Sequence, residues 1–200
     1  MEFIDDIAGL EALYGTPGEA SVIKVTPHLT EEYRRWIAAS RFLILSTIGP
    51  EGTDASPRGD DGPVVEILDA GTVALPDWRG NNRMDSLRNI VRDPRVSLMF
   101  MVPGSTNVIR VNGRARVTAD EAMRARFERQ GALPRTVVIV RIEEVYSQCA
   151  RAILRARLWT AGDESEGLPT VGDMLAGIKA GFDGAGYDAD WPGRAAATMW

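Results

Sequence analysis

Val96-Ser97-Leu98-Met99-Phe100-Met101-Val102-Pro103-Gly104-Ser105-Thr106-Asn107-Val108-Ile109-Arg110-Val111-Asn112-Gly113-Arg114-Ala115-Arg116-Val117 reads as two long strands folded back on each other. Both halves are rich in strand formers, and Pro103-Gly104-Ser105-Thr106 supplies the turn between them. Alternation in the second half sends Arg110, Asn112 and Arg114 to one face and Val111 to the other. The polar face either lines something or meets solvent, and spacing admits both.

Working outward, the same strand chemistry recurs. Phe42 to Thr47 ends at the turn cluster Gly49-Pro50-Glu51-Gly52, and Thr53 to Ser56 runs back as its hairpin partner. Val64 to Leu68 and Thr72 to Leu75 flank Asp69-Ala70-Gly71, a second hairpin, and Thr136 to Val145 is the last strong strand. Met84, Leu87, Ile90 and Val91 mark one short amphipathic helix stopped by Asp93-Pro94, and 119–130 reads as another. The expected architecture is mainly β: a six-stranded antiparallel split barrel with peripheral helices, the 84–91 helix inserted before the fourth strand. Closure or near-closure removes exposed edges.

The flanks divide the chain into three parts: a helical arm over 1–40 packed on the barrel, the barrel over 41–159, and a linker, short helix and tail over 160–200. In the arm, Ile4, Ile7, Leu10 and Leu13 recur at helical spacing, and Thr30 can cap a helix whose Tyr33, Trp36 and Ile37 share a face. Residues 170–179 read as a helix. The tail after it is unassigned, but Trp191 and Trp200 should dock on the body or on a partner rather than stand in water.

Composition narrows the chemistry. The 200 residues suit one substantial core, and a net charge of −5 argues against broad binding to nucleic acid. No apolar run approaches the roughly 18 residues of a membrane helix. The opening Met1-Glu2-Phe3-Ile4-Asp5-Asp6 is acidic where a secretory signal is basic, so a cytoplasmic location is expected. There is one cysteine, Cys149, and one histidine, His28, which sits beside Pro27 as a surface or capping residue. Thiolate-rich metal sites and His-dependent triads are therefore poor candidates, and no metal is expected. An enzyme of this composition would borrow its reactive group from a cofactor.

Three polar clusters stand out. Ser56-Pro57-Arg58-Gly59-Asp60-Asp61-Gly62 offers a hydroxyl, a planar cation and backbone access to a ligand, or is a solvated turn. Gly80-Asn81-Asn82-Arg83 opens the amphipathic helix. With Ser86 it makes either a monophosphate pocket at a helix start or an Asn cap beside a surface arginine. The third is Arg110 to Arg114. Later, Arg151, Arg155 and Arg157 near Trp159 form an amphipathic stretch or a basic, aromatic lip over a flat anionic ligand.

Taken in order, Ser56-Pro57-Arg58-Gly59-Asp60, Leu75-Pro76-Asp77, Gly80-Asn81-Asn82-Arg83-Met84-Asp85-Ser86-Leu87-Arg88-Asn89, Arg110-Val111-Asn112-Gly113-Arg114-Ala115 and Cys149-Ala150-Arg151-Ala152 resemble a bacterial subfamily of pyridoxamine 5'-phosphate oxidase-related flavoproteins. The resemblance spans roughly residues 13–175. It implies an FMN-binding split barrel, dimeric, with each flavin held between protomers. By that likeness Asn82, Arg83 and Ser86 would hold the phosphate, while Ser56, Pro57, Arg58 and Gly59 flank the flavin. Arg110 would line the same cleft, and the partner chain would contribute Cys149, Arg151, Arg155 and Trp159. Two departures are plain. Relatives carry His and Lys around that cysteine where this chain has Gln148 and Arg151, and no histidine follows His28 to complete the late Arg-x-His pair of the vitamin-processing oxidase. Pyridoxamine phosphate is accordingly not the expected substrate.

The implied function is an FMN-dependent oxidoreductase passing hydride between NAD(P)H or a small organic substrate and the flavin. The alternatives are a non-catalytic flavin carrier or sensor, a deazaflavin-binding relative, and an interaction module with an empty cleft. Haem ligation is disfavoured by the lack of a spare histidine.

Overall fold

A computed structural model describes residues 1–149 and 151–200. Three helices come first: α1 (Ile7–Tyr14), α2 (Glu19–Ile23) and α3 (Glu31–Ala38). Thr30 caps α3, its hydroxyl accepting from the Tyr33 amide, and α3 drives Ile37 into the core with Tyr33 and Trp36 packed beside it. The other two helices bury no residue, so of the arm's helices only α3 packs on the sheet, joined by Thr26 bridged to Val145 and by buried Leu29.

The sheet follows as β1 (Phe42–Gly49), β2 (Gly52–Gly59), β3 (Glu66–Asp69) and β4 (Thr72–Asp77), then α4 (Asp85–Arg92), β5 (Arg95–Met101) and β6 (Asn107–Thr118). After α5 (Glu121–Ala125) comes β7 (Thr136–Cys149), and α6 (Arg151–Arg155), α7 (Val171–Ile178) and α8 (Gly184–Thr198) complete the chain. All pairings are antiparallel, in the order β2-β1-β5-β6-β7-β4-β3. The strands number seven rather than six, one for each of the seven segments that the sequence marks as strand, and α4 accordingly precedes the fifth strand.

Alternation builds the core. Leu43, Leu45 and Thr47 of β1 face Phe100, Leu98 and Val96 of β5, and Ile109 and Val111 of β6 continue that face. The β6–β7 register shifts at Asn112/Gly113, where β7 carries Glu143 as an extra residue. Gly113 is required there: a Cβ would lie 2.1 Å from the Arg141 carbonyl oxygen.

Three elements depart from expectation. The 119–130 helix stops at Ala125, and further on left-handed Gln130 and Gly131 make the turn between the bridged residues Arg129 and Ala132. β7 runs on to Cys149, four residues past the expected end at Val145. The tail forms α8, started by Asp183 accepting from the Gly186 amide. Among the described residues no helix is long and apolar enough to cross a membrane.

Candidate functional site

The two ends of the sheet curl toward each other without joining. β2 lies at one edge and β4 next to the other, and no backbone ladder connects them among the described residues. What spans the gap is a side-chain bridge: Arg58 Nη1 donates to Asp77 Oδ1. Residues opposite one another on β1 and β2 share a face, so Asp54, Ser56 and Arg58 sit on the same inner side as Thr47, Leu45 and Leu43. Pro57 and Gly59 point the other way. The split left between β2 and the end of β4 is a cleft of about 760 Å³, walled on its remaining sides by residues 78–84, the start of α4, Arg135 and Thr136.

Its charge is mixed, with four arginines (Arg58, Arg79, Arg83, Arg135) against three aspartates (Asp54, Asp77, Asp85). Arg58 is only 19% exposed, and its Nε is buried with no partner among the described residues. A buried guanidinium N–H without an acceptor is costly unless something else supplies one.

The 78–84 wall is locally strained. Asn82 and Met84 both adopt left-handed backbone angles, φ 61° and 60°, a region that asparagine tolerates and that is costly for methionine. Asn81 Oδ1 accepts from the Arg83 amide at 3.1 Å, and Arg135 Nη1 donates to Asn82 Oδ1 at 2.7 Å, pinning the loop from the far side of the cleft. The cap position of α4 falls on Met84, not on an asparagine, and no side chain caps the helix start. Its first-turn amides thus open on the cleft without an intramolecular side-chain acceptor. Arg83 is 74% exposed and reaches only its neighbour Asp85, Nε to Oδ2 at 2.8 Å.

Ser86 is differently placed. It is buried, and its hydroxyl donates to Asp54 Oδ2, tying α4 to β2. With that proton committed, Ser86 fixes the distance between the two cleft walls rather than presenting a free donor. Asn89 repeats the tie one turn on, donating to Thr47 Oγ1 at 3.1 Å.

Of the residues singled out from the sequence, the fold brings together Ser56, Pro57, Arg58, Gly59, Asn82, Arg83 and Ser86 around this cleft. It does not bring Arg110 there within one chain. Arg110 pairs with Met99 and Tyr146 on the outer face of the sheet, its guanidinium 5.3 Å from the Tyr146 ring centre and its Nη1 3.3 Å from Gln148 Oε1. Cys149 is exposed at the end of β7, and Arg151 and Arg155 are exposed on α6. The motif that joins these two elements includes Ala150, which lies outside the described residues. Trp159 docks its indole N–H on the Ser105 carbonyl at 2.8 Å, on the β5–β6 turn.

Sequence reading missed Asp54, Trp78, Arg79 and Arg135, which line the cleft, and the role of Asp77 as Arg58's partner. Only inward alternation on β2 could have pointed to Asp54. Among the described residues, no three His, Cys, Asp or Glu side chains gather as metal ligands.

The sequence profile for pyridoxamine 5'-phosphate oxidase matches residues 29–149. No curated protein matches the chain. Among solved structures, HupZ of Group A Streptococcus is similar over 61% of this chain and 95% of its own at 16% identity, with a TM-score of 0.50. A candidate pyridoxamine 5'-phosphate oxidase from Lactobacillus delbrueckii is 26% identical over 60% of this chain and 95% of its own, with a TM-score of 0.48. An FAD-binding protein from Mycobacterium smegmatis aligns over 62% of this chain and 97% of its own, at 17% identity and a TM-score of 0.42.

Proposed function

We propose, for a chain that belongs to the pyridoxamine 5'-phosphate oxidase family, that the cleft between β2 and β4 binds FMN and that the protein is an FMN-dependent oxidoreductase. One observation carries the reading: Arg58 Nε is buried on the cleft wall and lacks an acceptor, as expected of a donor awaiting a ligand atom. The cleft volume falls within the roughly 300–1,000 Å³ usual for small-molecule sites. Asp54 and Arg58 are four strand residues apart, about 13 Å, which suits an elongated ligand lying along β2.

Donor chemistry supports the orientation. Arg83, the Asn82 amide side chain and the uncapped first turn of α4 would hold the single phosphate. Arg135 would keep Asn82 in its left-handed conformation. Arg58, oriented by Asp77, would face the ring and stabilise negative charge on it. When bound, FMN supplies the hydride-accepting and hydride-donating ring, and NAD(P)H or a small organic molecule is the exchange partner. The chain's one histidine, His28, is not among the cleft residues, so no imidazole of the same chain is available for proton transfer.

The outer sheet face supports a homodimer. Arg110 there has a buried Nε with no partner, beside Tyr146, which suits a second copy supplying the acceptor. Cys149, Arg151, Arg155 and Trp159 of the partner subunit would then border the flavin. A cytoplasmic location belongs to the same reading.

The test is anaerobic titration of purified protein with FMN, followed by NADPH. FMN bound in a 1:1 ratio per chain, bleached by NADPH and reoxidised by an added acceptor with turnover, is the expected result. Flavin that binds but stays oxidised against nicotinamide donors would assign the protein to flavin carriage or sensing. Absence of FMN binding would overturn the proposal.

A further inference from the structure

Trp78 follows the ion-paired Asp77 on the cleft wall and is half-buried. Its indole N–H donates to Asp60 Oδ2 at 3.2 Å, and Asp60 is itself firmly placed: its side chain is 3% exposed and its Oδ1 lies 3.6 Å from Arg129 Nε. A second contact comes from 122 positions further along the chain. Trp200 meets Trp78 edge to face, ring centres 5.1 Å apart and planes at 74°.

Trp200 follows directly on the last helix, α8. α7 and α8 form a helical hairpin in which Asp188 accepts from both the Thr170 hydroxyl and the Gly172 amide. Gly172 and Gly184 approach so closely that a Cβ on Gly172 would lie 2.2 Å from the Gly184 carbonyl oxygen. Trp200 is not itself among the residues lining the cleft. An indole pinned at its nitrogen by one partner and packed by a second indole has its plane determined on two sides, a degree of control that a solvent-facing tryptophan does not need.

From this geometry we infer that Trp78 forms an aromatic stacking subsite for the planar, electron-poor ring of the bound ligand at the Arg58–Asp77 end of the cleft, and that Trp200 is a positioning residue that sets the orientation of Trp78. The inference rests on the flavin reading above and deepens it. An indole face is electron-rich and complements an electron-poor heterocycle, while Arg58 beside it addresses the polar edge of the same ring. The α7–α8 hairpin thereby becomes part of the binding site without touching the ligand.

The test uses the full chain and compares wild type with Trp78→Ala, Trp78→Phe, Trp200→Ala and Trp200→Phe. Two readouts are followed: the exciton couplet that two adjacent indoles give in far-UV circular dichroism, and FMN affinity by quenching titration. Wild type should show the couplet, and each Ala variant should lose it. Trp78→Ala should weaken FMN binding by roughly tenfold and Trp200→Ala by about two- to fivefold, with both Phe variants recovering most of the loss. Should Trp78→Ala fail to fold, Trp78→Phe and Trp200→Ala carry the test. A wild-type chain without the couplet, or one that binds FMN with equal affinity in all variants, overturns the subsite alone. A wild-type chain that shows the couplet but binds no FMN overturns the flavin reading, and the subsite with it.

Discussion

Arg58→Ala should unlatch the sheet where its two ends meet. The Arg58–Asp77 pair is the ionic bridge across the split, beside the Trp78–Asp60 hydrogen bond, and its members are 19% and 16% exposed. Breaking a buried pair by deleting one partner costs about 3–5 kcal/mol, because the remaining charge is stranded. The cleft admits water to Asp77, so we expect a cost below that scale, about 2–3 kcal/mol. At about 2–4 °C per kcal/mol for a chain of this size, the melting temperature should fall by roughly 4–12 °C. The assay is urea unfolding of wild type, Arg58→Ala, Arg58→Met, Asp77→Leu and the double variant Arg58→Met/Asp77→Leu, the last three with wild type forming the double-mutant cycle. The double variant should recover at least half of the single-variant loss, since it removes both charges at once. An Arg58→Ala protein within about 0.5 kcal/mol of wild type, or a coupling energy near zero, would refute the claim that this pair closes the barrel.

Other expectations follow from single observations. Gly113→Ala places a Cβ against the Arg141 carbonyl oxygen and should cost about 2–4 kcal/mol in urea unfolding, whereas Gly80→Ala, with open space around it, should be near neutral. Arg83→Ala removes a charge-assisted phosphate contact and should weaken FMN binding by about 2 kcal/mol, roughly 30-fold; unchanged retention of FMN would remove Arg83 from the site. Hydrogen bonds from Arg95 hold the Asp93 carboxyl at about 2, below its ordinary 3.8. A depressed folded-state value means that the interaction stabilises the protein above about pH 4 and is lost as pH falls toward 2. An NMR titration should place the Asp93 midpoint near 2 in wild type and closer to 3.8 in Arg95→Ala, and coincident midpoints would dismiss the pairing. The Glu66 carboxyl is likewise lowered, by its hydrogen bonds from Arg126, so acid should weaken the tie between β3 and the segment after α5; being part-exposed, the pair should contribute less than about 1 kcal/mol.

Much of the fold is legible along the chain because its signals are local. Alternation in 42–47 and 108–117, the Gly49–Gly52 turn and the Thr30 cap each act over a few residues, and each appears where the sequence puts it. Elsewhere the structure adds contacts that periodicity does not carry. At 119–130 helical periodicity continues past Ala125, but the element ends there and the chain turns into the Arg129–Ala132 bridge. Ser86 reads as a phosphate ligand by its place in a helix start, and its hydroxyl meets Asp54, which lies 32 residues earlier.

By itself the sequence determined the strands, their hairpins and the polar clusters, since backbone propensity, pleat and turn geometry depend on neighbours a few positions apart. Only the tertiary structure decided which clusters share a cleft. Curling of the sheet joins Arg58 to Asp77, sends Arg135 to Asn82 across 53 residues and turns Arg110 to the opposite face. It also carries Trp200 onto Trp78. Those meetings depend on sheet twist, a one-residue bulge and helix packing summed over the whole chain, quantities that no short window of residues contains.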